Sequence, residues 1–198
     1  MLAYIVQLAV QTLRQPREAA QTVFQFELDR WSLWLALTLI SVVSVLFSEF
    51  TMLFVPPEMI AAGGPLPSSP VLLAVVIWGL LVISVFVTHY VGRAFDGQGA
   101  LNDSLKTVIW MQIVLLVLQV VQIALFLISP VIAILFGWFG ALYVLFVFLV
   151  FIQVLHGFKS LGGVVAGALV TFIGLMLGIA LIIGVIAGVF GLELGANV

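Results

Sequence analysis

The sequence predicts an all-α fold: a polytopic membrane bundle of five transmembrane helices preceded by an amphipathic interfacial helix. Of its 198 residues, 65% are hydrophobic and 7% are charged, whereas soluble domains carry about 25% charged residues. A soluble domain of this size could not bury so much apolar surface and keep a wettable exterior. In addition, long stretches almost free of charge have the ~20 residues that a helix needs to cross a ~30 Å hydrocarbon core.

The first 30 residues form a separate region, which we predict to be a cytoplasmic amphipathic helix. Its polar residues recur at intervals of three and four, which places them on one helical face. Because the other face is apolar, we expect the helix to lie in the membrane interface, and packing on the protein's own bundle is the alternative. Pro16 either kinks this helix or begins a second one. The polar face consists of Gln7, Gln11, Arg14, Glu18, Gln21 and Gln25.

Residues 31–198 form the predicted transmembrane domain. A proline-rich stretch, VPPEMIAAGGPLPSSP, separates the first two spans and cannot be helical throughout. Pro130 marks a tight turn between the third and fourth spans. The five spans are expected at about 31–54, 70–91, 105–129, 131–158 and 164–190.

The basic residues predict the orientation of the chain. With five crossings, all six of them fall on one side of the membrane, and the positive-inside rule makes that side cytoplasmic. We therefore expect a cytoplasmic N-terminus and a C-terminus on the opposite side. The six residues are Arg14, Arg17, Arg30, Arg93, Lys106 and Lys159.

The loop VGRAFDGQGALNDSLK, between the second and third spans, contains a Gly-x-Gly pattern. A phosphate-binding loop would need a preceding strand and a fuller glycine pattern, so we interpret this segment as a turn followed by a helix cap. Asp96–Gly97 is typical of a turn, since glycine tolerates positive φ. Three residues could cap the third span: Asn102, Asp103 and Ser104.

Two junctions and the overall layout resemble the Yip1 family. The junctions are FDGQGALNDSLKTV, between the second and third spans, and HGFKSLGG, between the last two. The resemblance implies five spans, a cytoplasmic N-terminus and a role in membrane organisation through partner proteins or curvature, without catalysis. The Asp-Leu-Tyr-Gly-Pro-like motif and long cytosolic extension of eukaryotic members are missing, so their binding of prenylated GTPases is not carried over. The chain is closer to the short bacterial members, which implies a bacterial inner membrane.

The cytoplasmic ends of the spans carry a candidate polar cluster. Two histidines and an aspartate could bind a metal in principle, but no His-x-x-His spacing is present. We therefore expect hydrogen-bonded interfacial histidines and no metal site. The cluster comprises His89, Arg93, Asp96, Asp103, Lys106, His156 and Lys159.

Gln112, Gln119 and Gln122 lie on one face of the third span, spaced by seven and three residues. They could line a substrate path or hydrogen-bond to neighbouring helices, and we favour the second. Without an acidic partner in the membrane they would make a poor proton relay.

The last span is rich in glycine, in pairs that allow helix backbones to approach closely. We expect these pairs to pack within the monomer first, although a helix of a second subunit is also possible. They are Gly163 and Gly167, Gly174 and Gly178, and Gly184 and Gly188.

The sequence predicts no enzyme. It has no Gly-x-Ser-x-Gly elbow, no His-Glu-x-x-His motif and no paired carboxylates in the spans, so we expect no catalytic residues and no cofactor. A net charge of −2 argues against nucleic acid. The leading hypothesis is a membrane organiser or scaffold, with lipids, a partner protein or a second copy as partners. The alternatives are a small transporter or channel and an accessory subunit of a larger complex.

Overall fold

The computed structural model describes residues 2–55 and 69–190. This part of the chain is all helical, with seven helices and no strand. The helices are α1 (Leu2–Arg14), α2 (Pro16–Phe24), α3 (Arg30–Met52), α4 (Pro70–Ala94), α5 (Leu101–Phe126), α6 (Pro130–His156) and α7 (Leu161–Phe190).

Helices α3 to α7 are each long and apolar enough to cross a membrane. The predicted polytopic bundle of five spans is therefore confirmed. Their ends lie within a few residues of the predicted boundaries. The largest shift is at the start of α5, which begins at Leu101 and not at about residue 105. The residues that were expected to lie in the loop form its first turn.

Side chains cap the starts of three spans. Ser69 and Ser129 each precede a proline at the first helical position, and each accepts a hydrogen bond from an amide three residues later. Asp29 caps α3 in the same way through the amide of Ser32. The hydroxyl of Ser32 also donates to this carboxylate, and these bonds lower the pKa of Asp29 because they stabilise its charged form.

Helix α5 is different, and the predicted caps are wrong here. Its N-cap is Ala100, which provides no side-chain bond. Asn102, Asp103 and Ser104 lie inside the first turn, so their side chains cannot occupy the capping position. Asp103 instead bonds the ammonium of Lys106 at 2.9 Å.

The N-terminal segment consists of two helices that pack on the bundle. Pro16 begins α2 at its first position, which is one of the two predicted outcomes. The buried faces of α1 and α2 contact α5 and α6, which is the arrangement that the sequence left as the alternative. The shared core contains Leu8, Ala9, Ala19, Ala20 and Val23 from α1 and α2, and Trp110, Met111 and Phe151 from the spans.

The exposed side of α1 is amphipathic. Val6 and Val10 are exposed on one flank, and Gln7 and Arg14 are exposed on the other. A helix with one face on the protein, one apolar flank and one polar flank is suited to the boundary between lipid and water. An interfacial position therefore stays a prediction that is compatible with packing on the bundle.

Candidate functional site

The loop after α4 closes around the imidazole of His156, the last residue of α6. The amide of Gly99 donates to Nδ1 of His156 at 3.2 Å, and Nε2 lies 3.0 Å from the carbonyl oxygen of Thr88. An amide can only donate, so Nδ1 is the acceptor and Nε2 carries the proton. This pair of bonds selects one neutral tautomer of a fully buried histidine.

Three glycines make the space for this ring. A Cβ atom on Gly92, Gly97 or Gly99 would lie 2.1, 2.4 or 2.7 Å from an atom of His156. We call the surroundings formed by these glycines and Thr88 the His156 pocket. The loop is also tied to α6 by the amide of Gln98, which donates to the His156 carbonyl at 3.2 Å.

The turn itself is confirmed, but the predicted role of Gly97 in it is wrong. The residue at positive φ is Asp96, at 62°, while Gly97 does not have a positive φ. Aspartate tolerates this region better than most residues because its short side chain can bond locally. Gly97 is needed for another reason, which is that the His156 ring occupies the place of a side chain.

The structure does not gather the predicted polar cluster into one site. Arg93, Asp96 and Lys159 are exposed. The Nδ1 atom of His89 is buried and has no hydrogen-bond partner among the described residues. Lys106 lies elsewhere, where it bonds both Asp103 and the carbonyl of Phe24 at the end of α2. Within residues 2–55 and 69–190, no three histidine, aspartate or glutamate side chains are close enough to hold a metal.

Other polar contacts at this end of the bundle were not predicted from the sequence. Arg17 donates to Oε1 of Gln153 at 3.0 Å, and the amide of Gln153 donates to the carbonyl of Phe158 at 3.2 Å. Arg30 donates to Asn102 at 3.1 Å. The signal that could have found the first pair is a lone glutamine one turn before His156 in a strongly apolar span.

The three glutamines of α5 all bond to neighbouring helices. Gln112 donates to Ser44 of α3 at 2.8 Å, and Gln119 donates to Thr51 of α3 at 2.9 Å. Gln122 donates to a backbone carbonyl of α6 at 3.1 Å. These are interhelical bonds, which the sequence favours over a substrate path.

The same glutamines also border a partly open cavity of about 320 Å³, which we call the glutamine cavity. Its lining extends along α5 from Gln112 toward the end of the helix at Phe126. On the other side of Gln112, the interior is filled by buried residues such as Leu105 and Val108. The cavity therefore occupies one half of the bundle and does not continue through the other. Its polar and small lining residues are Gln112, Gln119, Gln122, Ser44, Ser48, Gly137, Gly140 and Ala141.

Helix α7 lies at the edge of the bundle beside α6. Among its described side chains, only Val164 is buried. A Cβ on Gly163 would lie 3.3 Å from Ser160, and one on Gly167 would lie 3.7 Å from Phe95. At Gly174, Gly178 and Gly184 there is open space, so the packing within the monomer that was expected first is not seen there. The surroundings of Gly188 are outside the described part of the chain.

The fold and these sites define an integral membrane protein whose five apolar helices contact lipid. A family model described as the Yip1 domain matches residues 10–192, nearly the whole chain. The chain therefore belongs to the Yip1 family, as the two junctions and the layout predicted. No curated protein and no solved structure matches it.

Proposed function

We propose that this protein is a non-enzymatic scaffold that organises the membrane by binding a partner through its transmembrane helices. The observation that carries the proposal is the exposed surface of α7, where Gly174, Gly178 and Gly184 leave open space. Glycines let the backbones of two helices approach closely, which is a main source of helix association in lipid. The partner is another membrane protein or a second copy of this chain.

The orientation belongs to the same proposal. All six basic residues fall on one side if the five helices cross in sequence, and the rule for basic loops makes that side cytoplasmic. The N-terminus, α1, α2 and the His156 pocket are then cytoplasmic, and the chain lies in a bacterial inner membrane. Partner contacts in the membrane and the exposed amphipathic side of α1 act together to position the complex.

The proposal is tested by purifying the N-terminally tagged protein in native lipid particles and identifying bound proteins by mass spectrometry. The test variant carries Gly174→Leu and Gly178→Leu, which fill the open face of α7. The matched control is Gly79→Leu, because Gly79 is also a helical glycine with open space around it but lies on α4.

We expect the wild type and the control to retain a stoichiometric partner and the α7 variant to lose most of it. A second copy as partner would appear as loss of the dimer in the same variant. If the bound proteins are the same in all three preparations, α7 is not the partner-binding surface.

A further inference from the structure

The glutamine cavity has hydrogen-bonding groups that the protein does not use. The hydroxyls of Ser44 and Thr51 donate to carbonyls of the preceding turn of α3, at 2.7 Å each. They can therefore only accept from Gln112 and Gln119, and the carbonyl bonded by Gln122 can also only accept. Each glutamine thus uses one amide hydrogen for the bundle.

What is left on each glutamine is a carbonyl oxygen and a second amide hydrogen. Among the described residues, no donor is hydrogen-bonded to these three oxygens. Among the described residues, one buried side-chain polar atom lacks a hydrogen-bond partner, and it belongs to His89. The three glutamine oxygens also lack a partner, so they cannot be buried. The oxygens therefore have accessible surface, and all three glutamines line the glutamine cavity.

Small residues on α6 keep this space open. A Cβ on Gly137 would lie 2.3 Å from the amide nitrogen of Gln122, so a larger residue would displace that side chain. A Cβ on Gly140 would make only an ordinary contact with Leu118, at 3.7 Å. The volume of about 320 Å³ is roughly ten times the ~30 Å³ share of one water in the liquid, so the cavity is larger than a site for a single bridging water.

The lining restricts what can bind. It contains no charged residue, so a phosphate or an ammonium group would enter without a counter-charge, which is costly in a medium of low dielectric. The free carbonyl and amide groups match a hydroxyl, which both donates and accepts. Because the cavity lies within membrane-spanning helices, its ligand reaches it from the bilayer.

We propose that the glutamine cavity binds the polar end of a neutral lipid that bears a hydroxyl, such as a diacylglycerol or a long-chain alcohol. The hydroxyl bonds to the glutamine amides, and the hydrocarbon chain extends into the bilayer. This inference does not depend on the scaffold function or on α7.

The experiment uses a diacylglycerol that carries a diazirine on an acyl chain close to the ester. The full-length protein is placed in phosphatidylcholine vesicles with this probe and illuminated, and the labelled peptides are identified by mass spectrometry. We expect labels on the parts of α5 and α6 that line the cavity. Unlabelled diacylglycerol should compete, and phosphatidic acid with the same chains should not. Competition by oleyl alcohol would show that the hydroxyl is sufficient, and failure of this alcohol to compete would assign the site to the glycerol esters as well.

Three variants separate binding from folding. Gln119→Leu removes both a polar group of the cavity and the bond to Thr51, whereas Thr51→Val removes only that bond. Gly140→Leu fills the cavity and leaves all three glutamine bonds in place. We expect labelling to fall about fivefold or more in Gln119→Leu and Gly140→Leu, as for the loss of one net hydrogen bond or more, and to stay near the wild-type level in Thr51→Val.

Equal labelling in all four proteins would overturn the proposal, as would equal competition by phosphatidic acid. An absence of labels on α5 and α6 would also overturn it, and would indicate that the cavity holds water.

Discussion

Helices α5 and α7 are both apolar enough to cross a membrane, yet they occupy different environments. Helix α5 contacts α1, α2, α3, α4 and α6, and nine of its residues are buried. Helix α7 lies beside α6, and Val164 is its one buried residue among those described. Hydropathy therefore explains why both helices cross the membrane, but it does not explain which one forms the centre.

The difference lies in what their polar groups and glycines contact. The glutamines of α5 bond to α3 and α6, so this helix gains partners that lipid cannot supply. In α7, the hydroxyl of Thr171 bonds to Gly167 of its own helix at 2.7 Å. Gly174, Gly178 and Gly184 of α7 face open space, whereas Gly92 on α4 and Gly137 on α6 face side chains. Glycine thus marks close packing in one part of this protein and a free surface in another.

The largest expected effect comes from truncating a leucine in each helix. Leu105 of α5 is 0% exposed and Leu177 of α7 is 65% exposed. Leu105→Ala should lower the free energy of unfolding by about 2 kcal/mol, at the low end for a buried leucine because lipid also solvates the separated helix. Leu177→Ala should change it by less than about 0.5 kcal/mol. Unfolding in mixed micelles with increasing dodecyl sulfate measures both, and similar losses would show that α7 is packed as tightly as α5.

Two glycine substitutions should differ in the sign of their effect on the free energy of unfolding. Gly92→Ala places a Cβ 2.1 Å from the His156 ring, and the overpacking should outweigh the gain in helix propensity and leave a net loss of about 1 kcal/mol. Gly178→Ala has open space and should be neutral or stabilising by up to about 1 kcal/mol. The same unfolding assay compares them. If Gly92→Ala were stabilising, the His156 ring would not be held where the structure places it.

The five spans could be predicted because crossing a membrane depends on each segment's own residues. The environment of α7 could not be predicted, because the sequence of a glycine pair is the same whether a neighbouring helix is present or absent. The start of α5 could not be predicted for a related reason. Asn102, Asp103 and Ser104 are good caps in isolation, but the loop before them is fixed by His156 and the helix already begins at Leu101.

The His156 pocket shows the same limit over a longer distance. Its two halves are the GQG segment and the HG junction, and each is visible in the sequence. Their contact joins residues 57 positions apart, between Gly99 and His156, and nothing in either segment alone specifies the other. The glutamine face was easier to interpret, because three amides on one helical face need partners wherever that helix lies.

The smallest expected effect concerns the contact that covers α5. The indole of Trp110 donates to the hydroxyl of Thr12 on α1 at 2.9 Å. Trp110→Phe and Thr12→Val should each remove this bond at a cost of about 0.6 kcal/mol beyond any loss of packing, and a double-mutant cycle isolates that coupling. Thr171→Val on α7 is the control, because its hydroxyl bonds within its own helix and should show no coupling to Trp110→Phe. Strictly additive losses for Trp110 and Thr12 would mean that α1 covers α5 by shape alone.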